Sequence, residues 1–247
     1  MSRYRILLAA GIAAFLVFLA IRMPASLLLR WLPASVATDG LQGTIWSGQA
    51  RSVRVQGRSV GAASWSCRPW RIVLLEWSCR VWLRPPDGEL SVALSGGFAG
   101  VLQGQDLAGS LPISLFEGMG VPTGWTGVLE LDIGRLRFGT DSRLDAEGRL
   151  FLRDLKAPGP GGARLGDFEL VIGEGAVGAG SLTGRLRDLG GPLRVRGTIV
   201  LQDDNSYLMS GEVAPGPGAG DEIFNTLAFL GAPDATGRRP FTIEGTL

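Results

Sequence analysis

The sequence predicts a mainly β protein. It opens with one N-terminal transmembrane helix, continues as a long, strongly curved antiparallel sheet (a half-pipe or incomplete barrel), and carries a short C-terminal helix. Three observations predict this. An uncharged apolar run starts the chain, strand-like alternation fills most of the rest, and glycine interrupts strand after strand. Glycine supplies 38 of the 247 residues, roughly twice its usual share.

The apolar run is Ile6 to Ile21, 16 residues without a charge, with Arg3 and Arg5 before it and Arg22 after it. As a helix it is about 24 Å long, short of a hydrocarbon core of about 30 Å. Tyr4, Met23 and snorkelling arginines are available to make up the difference. A cleaved signal peptide shares the basic start and the apolar stretch, but wants small residues at the −3 and −1 positions just after it. Here the run ends in Arg22-Met23-Pro24, and an uncleaved anchor is the better reading. Residues 1–5 then lie on the cytoplasmic side and 6–23 form the anchor. Residues 24–39 are a juxtamembrane segment, in which Ala25 to Leu32 can continue as an interfacial helix with Trp31 at headgroup level. Residues 40–247 form the β domain outside the cytoplasm.

From about Gly40 the period becomes two. Trp77, Cys79, Val81 and Leu83 alternate with Glu76, Ser78, Arg80 and Arg84. The same alternation appears at Leu90–Leu94, Leu129–Ile133, Phe168–Ile172 and Leu193–Leu201. Such strands turn one face to a core and the other to water, as antiparallel sheets do. Parallel crossovers would need helical patterns between strands, and almost none occur. Gly96, Gly97, Gly100, Gly104, Gly109, Gly127, Gly148, Gly184, Gly197, Gly211 and Gly245 fall in or beside these strands, where glycine marks bulges and bends. A sheet bent in most of its strands curves on itself.

One further helix is predicted over Asp221 to Leu230, with Asp221 as N-cap, Gly231 as the C′ residue, and Ile223, Leu227 and Leu230 on one face. The stretches Ala157–Ala163 and Ala214–Gly220 are rich in proline and glycine and read as loops.

Composition narrows the function. Basic and acidic residues number 24 and 23, without the basic excess of a nucleic-acid-binding protein. There is no histidine, which removes the commonest general base and metal ligand. The sequence therefore points to no catalytic residue, no cofactor site and no metal site, and to a chain that is not an enzyme. Gly57-Arg58-Ser59-Val60-Gly61 matches the nucleophile-elbow spacing, but its serine has no histidine to activate it, and a Gly-flanked turn is the better reading. Gly173-Glu174-Gly175-Ala176-Val177-Gly178 matches a dinucleotide fingerprint, yet no helix pattern follows. Asp203-Asp204-Asn205 reads as a hairpin turn more readily than as a Ca²⁺ loop. Glu130 and Asp132 share one strand face, which reads as solvated. The tryptophans read as core and interface anchors. Cys67 and Cys79 sit in echoing contexts, Trp-Ser-Cys-Arg twice. Two thiolates make half a zinc site. A disulfide between neighbouring strands suits an oxidising compartment, and a pair of buried free thiols is the alternative.

Several landmarks carry a resemblance. Leu41-Gln42-Gly43-Thr44-Ile45-Trp46-Ser47-Gly48 follows the anchor, then come Arg68-Pro69-Trp70 and Gly191-Pro192-Leu193. The closing run from Leu230-Gly231-Ala232-Pro233-Asp234 through Gly237-Arg238 ends in Phe241-Thr242-Ile243-Glu244-Gly245-Thr246-Leu247. Together these resemble the type II secretion system protein N family across nearly the whole chain. The resemblance implies an accessory, single-pass inner-membrane protein of a Gram-negative bacterium with its C-terminal domain in the periplasm. It also implies contacts with other type II secretion subunits during export of folded proteins across the outer membrane. The alternative is a periplasmic lipid-binding or lipid-transfer module, since a curved sheet with an apolar inner face can leave a groove for acyl chains.

Overall fold

The computed structural model describes residues 2–30, 32–74, 76–97, 102–117, 121–138, 144–159, 162–173, 181–202, 204 and 206–246. Helix α1 (Ser2–Ile21) comes first, followed by a 3-10 turn at Ala25–Arg30. The strands are β1 (Val36–Asp39), β2 (Gln42–Gly43), β3 (Ser47–Val55), β4 (Arg58–Cys67), β5 (Glu76–Arg84), β6 (Glu89–Gly97) and β7 (Leu102–Pro112). They continue as β8 (Thr126–Phe138), β9 (Leu144–Lys156), β10 (Arg164–Ile172), β11 (Ser181–Asp188), β12 (Leu193–Gln202), β13 (Ser206–Pro215) and, after helix α2 (Asp221–Ala228), β14 (Arg239–Thr246). Further 3-10 turns occupy Pro69–Leu74 and Ile113–Phe116.

The mainly β expectation is met. Fourteen strands are hydrogen-bonded in the order β1-β3-β4 and then consecutively to β14, with β2 beside β3. The described strand registers are antiparallel, and β1 and β14 are not paired with each other, so the sheet is not closed. The anchor expected over 6–23 is a helix in the structure. The helix runs Ser2–Ile21, and among the described residues no helix is long and apolar enough to cross a membrane. Its uncharged part, 16 residues, reaches only about 24 Å. The interfacial helix expected over Ala25–Leu32 is a 3-10 turn that stops at Arg30, and Trp31 lies outside the described residues.

Residues 1–86 with 93–98 form one compact unit, and 87–92 with 99–247 form a second, so β6 contributes to both. In the first unit β3 and β4 form a hairpin through Gln56-Gly57, both at positive φ (51° and 81°), as a two-residue type I′ turn requires. The elbow look-alike at 57–61 is thus the end of a turn and the start of β4. Two glycines of this unit carry aromatic rings. A Cβ at Gly48 would stand 2.5 Å from the Trp65 ring, its cross-strand partner, and one at Gly96 would stand 2.7 Å from the Trp77 indole nitrogen.

The second unit buries its core under α2. Leu155, Phe168, Val195 and Val213 from the sheet meet Ile223 and Leu227 from the helix, with Phe241, Trp125 and Leu186 packed around them. The register extends this apolar face across the strands. One transverse row runs Leu131–Leu150–Leu170–Leu186, and the next runs Ile133–Gly148–Ile172–Gly184–Ile199–Met209–Ile243. Two glycines here too lie under rings, Gly211 under Phe241 and Gly245 under Tyr207. Helix α2 differs slightly from expectation. Its N-cap is Gly220, which has no side chain to offer, and Asp221 with Glu222 occupies the first turn, where negative charge suits the helix dipole. The helix ends at Ala228, and Gly231 follows at φ +92°.

Candidate functional site

Two stretches that carried the resemblance form ordered, hydrogen-bonded loops. The first, Gly43 to Gly48, is a tight turn between β2 and β3. Thr44 is its centre: its hydroxyl oxygen accepts from the backbone N–H of Trp46 (3.3 Å) and of Ser47 (3.2 Å), and its own N–H donates to the Ser47 carbonyl (2.8 Å). Threonine suits this because its short hydroxyl competes well for nearby backbone groups. The turn in turn holds the end of α1. The Trp46 indole N–H donates to the Ala20 carbonyl at 2.8 Å, and the Ile45 N–H donates to the Met23 carbonyl at 3.0 Å. Pro24 pairs with Thr44 as an isolated bridge. A helix C-terminus leaves its last carbonyls without intrahelical partners, and Trp46 satisfies one of them. Trp65 braces the turn from β4, its indole N–H shared between the Thr44 and Ile45 carbonyls at 3.2 Å each.

The helix held in this way keeps described apolar side chains outside. Leu7, Leu8, Ile12, Phe15, Phe18 and Leu19 are each more than half exposed. With Val17 and Ile21, also more than half exposed, they cover more than half of the helix circumference. A helix apolar all round is the pattern of a segment that belongs in a non-aqueous environment.

The cysteines sit beside the same turn. Cys67 and Cys79 are direct cross-strand partners on β4 and β5, with Cα atoms 3.9 Å apart and sulfurs at bonding distance. The Cys67 N–H points the other way, to the Trp46 carbonyl, while Arg68 N–H bonds the Ser78 carbonyl. The pair is therefore a non-hydrogen-bonded one, where side chains approach closest.

The second stretch, Leu230 to Arg239, links α2 to β14 around Asp234. One oxygen of the Asp234 carboxylate accepts from the Thr236 N–H (2.8 Å), the Thr236 hydroxyl (2.8 Å) and the Arg238 N–H (2.9 Å). The Arg238 guanidinium reaches Glu212 on β13 at 3.1 Å, and the Arg239 guanidinium bonds the Gly231 carbonyl at 2.9 Å. The Arg238 N–H bond, with the Thr236 hydroxyl next, holds the Asp234 carboxyl below the ordinary carboxylate range. Its folded-state pKa is depressed, so it stabilises the loop above the ordinary value of 3.8 and loses that role as pH falls through the lower folded value. Relative to their intrinsic exchange rates, which themselves fall from neutrality into acid, the Thr236 and Arg238 amides are expected to be protected near neutrality and to lose that protection in acid below 3.8. Asp234→Ala is expected to remove the protection of both amides at every pH, and with it the acid step.

The other candidates are placed as follows. Glu130 and Asp132 lie on one face of β8, and Glu130 is paired with Arg153 at 3.3 Å. Nearby on that face the buried Glu169 carboxylate pairs with Arg187. Asp204 accepts from the Ser206 N–H and hydroxyl in the β12–β13 connection, while Asp203 and Asn205 lie outside the described residues, as does the glycine motif beyond Gly173. The sequence reading missed the Thr44 and Asp234 hubs, although a threonine or aspartate two residues before a hydrogen-bonded backbone N–H is a recognisable turn signal.

Both hubs and the α1 clasp fall in or beside a stretch with known relatives. Residues 34–242 match the family described as Type II secretion system (T2SS), protein N. The chain belongs to that family. Type II secretion system protein N of Aeromonas hydrophila is 29% identical over 259 residues, covering 99% of this chain and 100% of the relative. Its counterpart from Vibrio cholerae serotype O1 is 29% identical over 232 residues, covering 87% of each chain. No solved structure matches. Within a protein N chain, the Thr44 turn joins the family region to the apolar helix, and the Asp234 loop closes that region at its other end.

Proposed function

We propose that the protein is an accessory component of the type II secretion system, held in the inner membrane by α1, with residues 40–247 in the periplasm as a curved sheet that docks other secretion subunits. The family match over residues 34–242 carries this reading. The exposed apolar girth of α1 and the arginines at its two ends support the membrane attachment. Bulges in β3–β4, β8–β9 and β9–β10 support the curvature. The open β1 and β14 edges are available for strand addition by a partner. Deleting the gene is expected to retain exoproteins in the periplasm, and affinity capture of the full chain is expected to bring down secretion subunits. Normal secretion in the deletion strain would overturn the role.

A periplasmic location implies that Cys67 and Cys79 are joined in the cell. Trapping free thiols in intact cells is expected to leave both unlabelled until a reductant is added. Cys67→Ser is expected to cost about 2–3 kcal/mol of unfolding free energy, the usual value for a short closed loop. Labelling of both thiols without reductant would place the domain in a reducing compartment.

A second reading is lipid binding. It is favoured by the row Ile172–Ile199–Met209–Ile243, which lies beyond the residues packed around α2 and ends in an Ile243 that is 50% exposed. Native mass spectrometry of the detergent-free protein decides it. Co-purified phospholipid supports the groove, and its absence sinks it.

A further inference from the structure

In the first unit, the end of the sheet that grips α1 carries a second exposed element. The 3-10 turn Pro69–Leu74 begins two residues after Cys67, whose N–H bonds the Trp46 carbonyl, while the Trp46 indole bonds the Ala20 carbonyl. Trp70 is the third residue after Cys67 and the second of that turn. It is 58% exposed, and the Arg71 guanidinium lies 5.9 Å from its ring. Arg68 is exposed beside it, and Arg22, which closes α1, is exposed with its guanidinium 5.4 Å from the Phe18 ring. Glu76 lies 3.9 Å from Arg71. An exposed tryptophan flanked by arginines, next to the end of an apolar helix, combines a ring suited to the headgroup layer with cations suited to lipid phosphates.

We infer that the Arg68–Arg71 turn is a second membrane contact. Trp70 enters the headgroup layer of the bilayer that holds α1, and Arg22, Arg68 and Arg71 face anionic lipid phosphates. This rests on the membrane attachment of α1 proposed above. Its consequence is orientation: one helix alone lets the first unit swivel, whereas a helix and a turn joined through Trp46 fix the unit against the surface.

The test uses the full chain reconstituted into phosphatidylglycerol vesicles whose acyl chains are brominated near the headgroup. Vesicle flotation is read first, then the quenching of tryptophan emission in the wild type and in Trp70→Phe. The inference expects both proteins to float and the quenchable share of the emission to drop in Trp70→Phe. It also expects that drop to shrink in Arg68→Gln/Arg71→Gln, or when phosphatidylcholine replaces phosphatidylglycerol. Equal quenching of wild type and Trp70→Phe in floating protein overturns the contact and leaves the anchor standing. Failure to float overturns both.

Discussion

Gly61→Val is expected to unfold the first unit or leave it barely stable. Gly61 sits opposite Val53, where the β3–β4 register shifts on both sides, and its φ is +105°. A Cβ there would stand 2.1 Å from the Arg84 carbonyl oxygen and 2.5 Å from the Pro85 Cα, both backbone atoms of the neighbouring chain segment. No rotamer change relieves such a clash. Backbone strain of about 1–3 kcal/mol and overpacking of about 1–3 kcal/mol add to about 4 kcal/mol, a large share of a typical folding free energy. Gly57→Ala separates the two causes. Gly57 also has positive φ, +81°, but nothing lies within 4 Å of its Cβ position, so only the strain of about 1–2 kcal/mol remains. Urea titration followed by tryptophan emission would measure both. Equal losses for the two variants would show that the close approach to β5 does not matter.

That contrast also explains what could be read from the chain and what could not. Strands whose apolar residues alternate cleanly, such as Leu129–Ile133 and Phe168–Ile172, lie within β8 and β10, because a half-buried strand prints its two faces directly into the sequence. The glycines were read only as bends. Gly127, at a register shift between β8 and β9, fits that reading, but Gly96, Gly211 and Gly245 do another job, giving Trp77, Phe241 and Tyr207 a flat seat on a neighbouring strand. Nothing local marks this, since ring and glycine meet through pairing that only the folded register defines. The division of β6 between two units was equally silent, because the strand texture runs on across it. Among the site residues, Cys67 and Cys79 stood out by their echoing contexts. Thr44 and Asp234 did not, because their importance lies in backbone donors that any sequence supplies.

Loss of the α2 anchors is expected to have the largest effect in the second unit. Ile223 and Leu227 are each only 4% exposed, one turn apart, and set among Phe168, Val195 and Val213. The helix has little else to hold it: eight residues, with no side-chain bond at the N-cap. A helix that short is not stable in water by itself, so the packing makes the helix as much as the helix makes the packing. Each truncation to alanine costs about 2–5 kcal/mol in a core. The two side chains share one cavity, so their losses do not simply add, and Ile223→Ala/Leu227→Ala is expected to cost about 5 kcal/mol. Phe224 and Phe229 are 50% and 91% exposed, and Phe224→Ala/Phe229→Ala is expected to change stability by about 0.5 kcal/mol or less per site. The double core variant should also bind a dye specific for exposed apolar surface, because Phe168, Val195, Val213 and Phe241 lose their cover. Denaturant midpoints and dye fluorescence of the two double variants, measured side by side, test this. If the core pair proved no costlier than the exposed pair, the apolar face of β10–β14 would be stable without its helix, and α2 would be a passenger on the sheet instead of its lid.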